Sequence, residues 1–168
     1  METPLSLNDI KESSSESFED FRGEIYTIYQ ESKSSRLFNH DKICIRYKNV
    51  LVGVHGDFNT WKLVNCLYGR VFSAVVDNRQ ESKDYLKYKT FILSHSNRKQ
   101  LLLPPGFGNS LLVLSDFCVY SYKLSYQGDY TDHDKQFTLA WNDPKIGIKW
   151  PISNPLISER DKNALNGR

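Results

Sequence analysis

The sequence predicts an all-β domain, an antiparallel sandwich or barrel. Short runs rich in β-branched and aromatic residues recur between turn-like clusters, no helical period persists for long before residue 155, and no longer repeat divides the chain. An aromatic content of 13% suits the same class, and 168 residues give room for one hydrophobic core but not for a second domain.

Taken in order, residues 1–19 are polar and carry the run SSSES, too poor in apolar side chains to drive their own folding, so they are expected to form a mobile or partner-dependent arm ahead of a single domain over 20–168. Asp20 to Gly23 is a turn, and Glu24 to Tyr29 has the composition of a strand. Glu31 to Asn39 is a polar connection, and Lys42 to Tyr47, KICIRY, makes another strand by its alternation of charge and bulk. Val50 to Val54 follows as a strand, Gly56 to Thr60 as a turn, and Leu63 to Asp77 as a strand with a bend at Gly69. Beyond a charged connection, Lys87 to Ser94 is extended and His95-Ser96-Asn97 turns in solvent. Leu101 to Leu103 is a strand ended by Pro104 and Pro105, a glycine-rich turn runs to Asn109, and Ser110 to Leu114 is a second buried strand. Phe117 to Tyr126 alternates, with Tyr120, Tyr122, Leu124 and Tyr126 on one face, which suits a barrel interior or an aromatic cleft, although packing alone accounts for each ring. His133 sits in a polar loop that reads as solvated surface, and the residues after 155 form a short irregular or helical tail.

Composition excludes several functions. A formal net charge of +2, with lysines and arginines scattered, offers no field to hold a nucleic acid. Cys44, Cys66 and Cys118 are odd in number, lie in apolar surroundings and lack CxxC spacing, as expected of free thiols in a cytoplasmic protein. The start Met1-Glu2-Thr3-Pro4 has neither a basic nor an apolar character, and the richest apolar run is cut by two prolines, so neither a signal peptide nor a membrane span is expected.

The chemistry centres on Asn49 to Val64, NVLVGVHGDFNTWKLV, where a hairpin brings His55 and Lys62 together. An imidazole that takes a proton beside an ammonium that stabilises an oxyanion is half of what proton abstraction next to a ketone needs. The bland alternative is a half-buried histidine and a solvated lysine on that hairpin.

Together, NVLVGVHGD, KLV, YGRVFSAVVDNR, LLLPPGFGNSLLVLS, WNDPKIGIKWP and PLISERD, in this order and spacing, resemble the nucleotide-sugar 3,5-epimerases typified by dTDP-4-dehydrorhamnose 3,5-epimerase, over roughly Asp20 to Asp161. HGD, GNS and Lys123 to Tyr126 resemble most a branch acting on GDP-linked 4-keto-heptoses. The resemblance implies a double-stranded β-helix of the cupin (jelly-roll) type, usually a homodimer whose N-terminal strands cross to the partner. It implies C3 and/or C5 inversion of a nucleotide-diphospho-4-keto sugar through an enolate, without metal or other cofactor. Carried over by position, His55 is the base, Asp161 orients it, Lys62 lies near the keto oxygen, and Tyr122 is the acid on the far face of the sugar. Arg22, in a D-x-R-G pattern, is placed against the diphosphate or nucleotide. His40 and Lys42 fall near a substrate-contacting glutamine and asparagine, and Asn109 stands where many members have histidine. The chief departure is Val52, since the family reads R-G-x-H where this chain has Val52-Gly53-Val54-His55. Arg46, on the preceding strand, is a candidate replacement, although the alternation in KICIRY does not fix which way it points.

Two other readings compete. A metal-dependent cupin needs converging nitrogen and oxygen ligands, yet His55 is followed by Gly56-Asp57 and the later turn carries Asn109. A non-catalytic or degenerate nucleotide-sugar-binding homologue draws support from Val52 alone.

Overall fold

The computed structural model describes residues 5–164; the first four residues of the expected arm and the last four of the tail lie outside the described residues. Among the described residues twelve strands are formed: β1 (Lys11–Ser14), β2 (Ser17–Asp20), β3 (Gly23–Tyr26), β4 (His40–Tyr47), β5 (Leu51–Gly56), β6 (Trp61–Tyr68), β7 (Arg70–Asp77), β8 (Tyr88–Ser94), β9 (Lys99–Leu103), β10 (Phe107–Val113), β11 (Phe117–Ser125) and β12 (Phe137–Leu139). Among the described residues, one α-helical turn, α1 (Glu159–Lys162), lies near the end, and 3-10 turns are formed at Leu7–Asp9 and Glu31–Lys33. The strands build two five-stranded sheets, ordered β1-β9-β6-β11-β4 and β12-β5-β10-β7-β8, with β2 and β3 as a separate hairpin. Every ladder between strands is antiparallel. From β4 to β7, and again from β8 to β12, the chain changes sheet at every step, which is the winding of a double-stranded β-helix.

Packing explains the composition of the strands. Val64, Cys66, Leu101, Leu103, Cys118 and Tyr120 of the first sheet meet Val71, Val75, Leu93, Phe107, Leu111 and Val113 of the second in the main core. The second sheet is covered on its other face as well, where Val54, Ala74 and Val76 pack against Leu139, Ile146 and Ile148. A sheet buried on both faces has no polar face to alternate with, so β10 is buried along its whole length. The first sheet keeps an open outer face carrying Ile43, Ile45, Tyr47, Tyr68 and Phe117.

Several expectations are corrected. His55 and Lys62 do not share a hairpin, because β5 and β6 belong to different sheets and the turn over 57–60 is a corner between them. The stretch expected to bend at Gly69 is likewise two strands in opposite sheets, and Gly69 turns the corner with φ 83°. The turn before Asn109 ends at Gly106, so Asn109 lies inside β10. Residues 5–14 of the expected arm pack onto the domain: Leu7 and Ile10 are buried in the main core and β1 pairs with β9. Asp9 and Asp77 both bind the buried Arg79 guanidinium, which fastens this segment to β7. A polar composition concealed that anchor, since two apolar residues three apart and one aspartate suffice.

Candidate active site

Between the two sheets a cavity of about 830 Å³ opens, lined by β4, β6 and β11 on one side, β5 and β10 on the other, and the 156–161 segment at its edge. His55 sits on β5 in the middle of a three-strand ladder, opposite Thr138 of β12 and Asn109 of β10, so its backbone is fixed from both sides. Leu156 forms a parallel bridge to Val50 beside the start of β5 and carries the tail back toward the histidine. Ser158 caps α1 by accepting from the Asp161 amide, and its hydroxyl donates to Asp161 Oδ2 at 2.7 Å. Asp161 Oδ1 then meets His55 Nε2 at 2.6 Å, and the Gly53 amide donates to Oδ2 at 3.2 Å. Gly53 leaves the space for this carboxylate, since a Cβ there would stand 2.0 Å from Asp161 Oδ1.

Burial raises the Asp161 pKa, but the hydrogen bonds from His55, Ser158 and the Gly53 amide outweigh it, and the carboxyl stays below its ordinary value. An ionised aspartate on Nε2 fixes the neutral imidazole as the Nε2–H tautomer, leaving Nδ1 free to accept a proton. Lys62 is 8% exposed and reaches the His55 carbonyl only at 3.5 Å. Burial pushes its pKa down and the nearby Arg160 and Lys42 add to this, while Asp57 opposes them. An ammonium so placed gains from any negative charge that develops in the cavity. Tyr122 faces from the other sheet, and burial holds its phenol protonated well above the usual tyrosine range.

Of the other expected residues, Lys42, Arg46 and Asn109 line the cavity. Arg46 pairs with the buried Cys118 across the β4–β11 ladder, which settles its direction as inward; its guanidinium donates to the Ile45 carbonyl. His40 is not on the wall, because its Nδ1 meets the Tyr126 hydroxyl at 3.1 Å and its ring packs edge-on against Tyr130 at the rim. Arg22 is not there either: it lies at the tip of the β2–β3 hairpin, bound to Asp20 and exposed. Two charged or titratable examples among the wall residues that escaped the sequence reading are Arg160 and His133. Arg160 donates to Thr138 Oγ1 and to the Gln136 carbonyl beside the His55 ladder, and His133 stands at the mouth. Arg160 was findable as the neighbour of Asp161 in PLISERD, whereas nothing in its polar loop singled out His133. Among the described residues, no three His, Cys, Asp or Glu side chains converge as a metal-binding set.

An imidazole with a nitrogen able to take a proton on one wall, and a protonated phenol on the other, can take a proton from one face of a carbon and return it to the opposite face. On this fold, that chemistry defines the class of cupin-type sugar epimerases. The comparisons agree: the sequence profile of dTDP-4-dehydrorhamnose 3,5-epimerase matches residues 4–166, and the chain belongs to that family. Over 149 residues it is 35% identical to the dTDP-4-dehydrorhamnose 3,5-epimerase of Escherichia coli K12, covering 83% of this chain and 79% of that protein. The Salmonella typhimurium enzyme of the same name is 35% identical over 153 residues, covering 89% of this chain and 76% of that one. Among solved structures, the dTDP-6-deoxy-D-glucose-3,5-epimerase of Legionella pneumophila, in complex with dTDP-4-keto-L-rhamnose, superposes with a TM-score of 0.87 at 28% identity, covering 96% of this chain and 89% of that one. The resemblance to a GDP-heptose branch finds no support, because these relatives are named for dTDP-linked hexoses.

Proposed function

We propose that this protein inverts C3, C5 or both in a nucleotide-diphospho-4-keto-6-deoxy sugar, and that a dTDP-linked hexose is the substrate to test first. The observation that carries the proposal is the Asp161-backed His55 facing Tyr122 across one cavity, with Lys62 beside the histidine. His55 Nδ1 removes the proton flanking the 4-keto group, and its bonding electrons delocalise into an enolate whose oxygen Lys62 stabilises. Tyr122 then gives its hydroxyl proton to the opposite face of the same carbon, and solvent carries the proton from imidazolium to tyrosinate. The test is incubation of exhaustively chelated protein with dTDP-4-keto-6-deoxyglucose in deuterium oxide. Deuterium at C3 or C5 of an inverted product is expected; no exchange with this or any other 4-keto nucleotide sugar would give the lead to the binding-protein reading.

Lys42, Arg46 and Arg160 bring three cations to the cavity wall, and a nucleoside diphosphate is the part of the substrate they suit. Arg46 takes the place of the arginine missing at Val52. Its inward direction supports this, and its single hydrogen bond to the adjacent carbonyl is easily exchanged for phosphate. Arg46→Ala is therefore expected to raise KM about tenfold or more, the range of a lost charge-assisted hydrogen bond. A KM unchanged within twofold would remove Arg46 from the site.

A homodimer accounts for two further features. The open face with Ile43, Ile45 and Tyr47, and the β2–β3 hairpin with Phe18, Phe21 and Ile25, are exposed apolar surfaces on one chain. Burying both against a second copy would let the hairpin present Arg22 to the cavity of that copy. Ile45→Asp is expected to convert a dimer into a monomer by light scattering and to weaken substrate binding with it. A parent protein that is already monomeric at micromolar concentration contradicts this assembly.

The cytoplasm is the compartment that suits three free cysteines, and among the described residues no helix is long and apolar enough to cross a membrane.

A further inference from the structure

Thr138 of β12 stands directly opposite His55 of β5, and in an antiparallel pair such residues project to the same face. Two consecutive residues of the tail grip this one pair. Asp161 Oδ1 meets His55 Nε2 at 2.6 Å, while Arg160 Nε donates to Thr138 Oγ1 at 2.8 Å and Arg160 Nη2 to the Gln136 carbonyl at 3.3 Å. The Leu156 bridge and the Ser158 cap hold α1 at its start, but a helix of four residues is too short to keep its own orientation. The Asp161 contact fixes one point about which the turn can swing. The planar Arg160 guanidinium, with two donors aimed at acceptors two residues apart in the chain, fixes the direction as well.

We infer that Arg160 is a positioning residue for the His55–Asp161 pair: by tying α1 to Thr138 and Gln136 it holds the Asp161 carboxylate where it keeps the hydrogen on Nε2 and leaves Nδ1 open toward the substrate. Its effect on rate rests on the proposed epimerase reading, but its effect on the imidazole hydrogen does not. Arg160 also lines the cavity, so a change there alters the charge that a substrate meets as well as the tie. Thr138 lies outside that lining, and its hydroxyl is the acceptor that can be removed without taking a cation from the wall. Valine keeps the branched shape that a strand accommodates, so Thr138→Val loosens the tie and leaves β12 in place. Serine restores the hydroxyl.

The experiment compares parent, Thr138→Val, Thr138→Ser and Arg160→Gln, first without substrate, by nuclear magnetic resonance of protein carrying isotope-labelled histidine rings. The His55 Nε2–H signal, assigned by its loss in His55→Ala, is expected in the parent and in Thr138→Ser, and is expected to broaden into solvent exchange in Thr138→Val and Arg160→Gln. With dTDP-4-keto-6-deoxyglucose, well below the melting temperature of each variant, Thr138→Val is expected to lower kcat about five- to tenfold, the worth of one hydrogen bond, with KM within about twofold of the parent. Thr138→Ser is expected to return kcat to within about twofold of the parent. Arg160→Gln is expected to lower kcat at least as far and to raise KM too, because it also removes a cation from the wall. A Thr138→Val protein with parental turnover and a parental Nε2–H signal overturns the inference. Turnover lost with that signal intact, or a serine variant no better than valine, overturns it equally. A parent that exchanges no deuterium defeats the epimerase reading, and the Nε2–H signals then still decide whether Arg160 holds the pair.

Discussion

His55→Ala is expected to abolish deuterium uptake at every substrate carbon, with a loss of about 10²- to 10⁴-fold, the usual worth of general acid–base catalysis. The size follows from geometry: no second imidazole shares the wall near Asp161, since His133 is at the mouth and His40 is held at the rim. Asp161→Asn is expected to slow exchange without changing which carbon exchanges, because it weakens control of the tautomer but leaves Nδ1 in place. Rates are best read by mass spectrometry at fixed substrate, and near-parental exchange in the alanine variant would remove His55 as the base.

Gly53→Ala is expected to lower activity about 10²-fold, as large an effect as a displaced catalytic group produces, though Gly53 offers the substrate no side chain. A Cβ at 2.0 Å from Asp161 Oδ1 and 2.6 Å from its Cγ cannot coexist with the carboxylate, and the neighbours on either side, Val52 paired with Leu111 of β10 and Val54 paired with Leu139 of β12, limit how far the backbone can retreat. Asp161 must turn away, which separates it from His55 and leaves a buried carboxylate poorly paired. That costs about 1–3 kcal/mol of stability and should lower the melting temperature as well. An alanine variant with parental turnover and melting temperature would mean that the carboxylate is not held where the hydrogen bonds place it.

Strand content was legible because β-branched and aromatic runs declare themselves locally, and β4, β8 and β11 fall where alternation and turn residues put them. Sheet membership was not. Alternation tells which residues share a face, but β5 and β6 read as a hairpin until the opposite sheets claim them, since nothing in the short run Asp57 to Thr60 distinguishes a corner from a turn. The positions of His55, Lys62, Tyr122 and Asp161 came through family resemblance, and the structure brings them to one cavity although His55 and Asp161 are 106 residues apart. Arg46 needed the register with Cys118 to acquire a direction. Arg22 and His40 lie away from the cavity wall of this chain for different reasons: one stands at the tip of the β2–β3 hairpin, and the other is held by two tyrosines that local sequence does not place beside it.

The two halves of the His55–Asp161 pair are anchored with unequal strength. His55 lies at the centre of a ladder that opens only with the second sheet, whereas Asp161 rides on a single helical turn held by the Leu156 bridge, the Ser158 cap and its own carboxylate contacts. Such a tail can detach in a partial opening that costs far less than global unfolding. Heating should therefore silence the enzyme while both sheets remain formed, with amide protons over 156–162 exchanging well before those of β5 and β10. If activity and the sheet protons were instead lost together, the tail would have to be as firmly bound as the sheets.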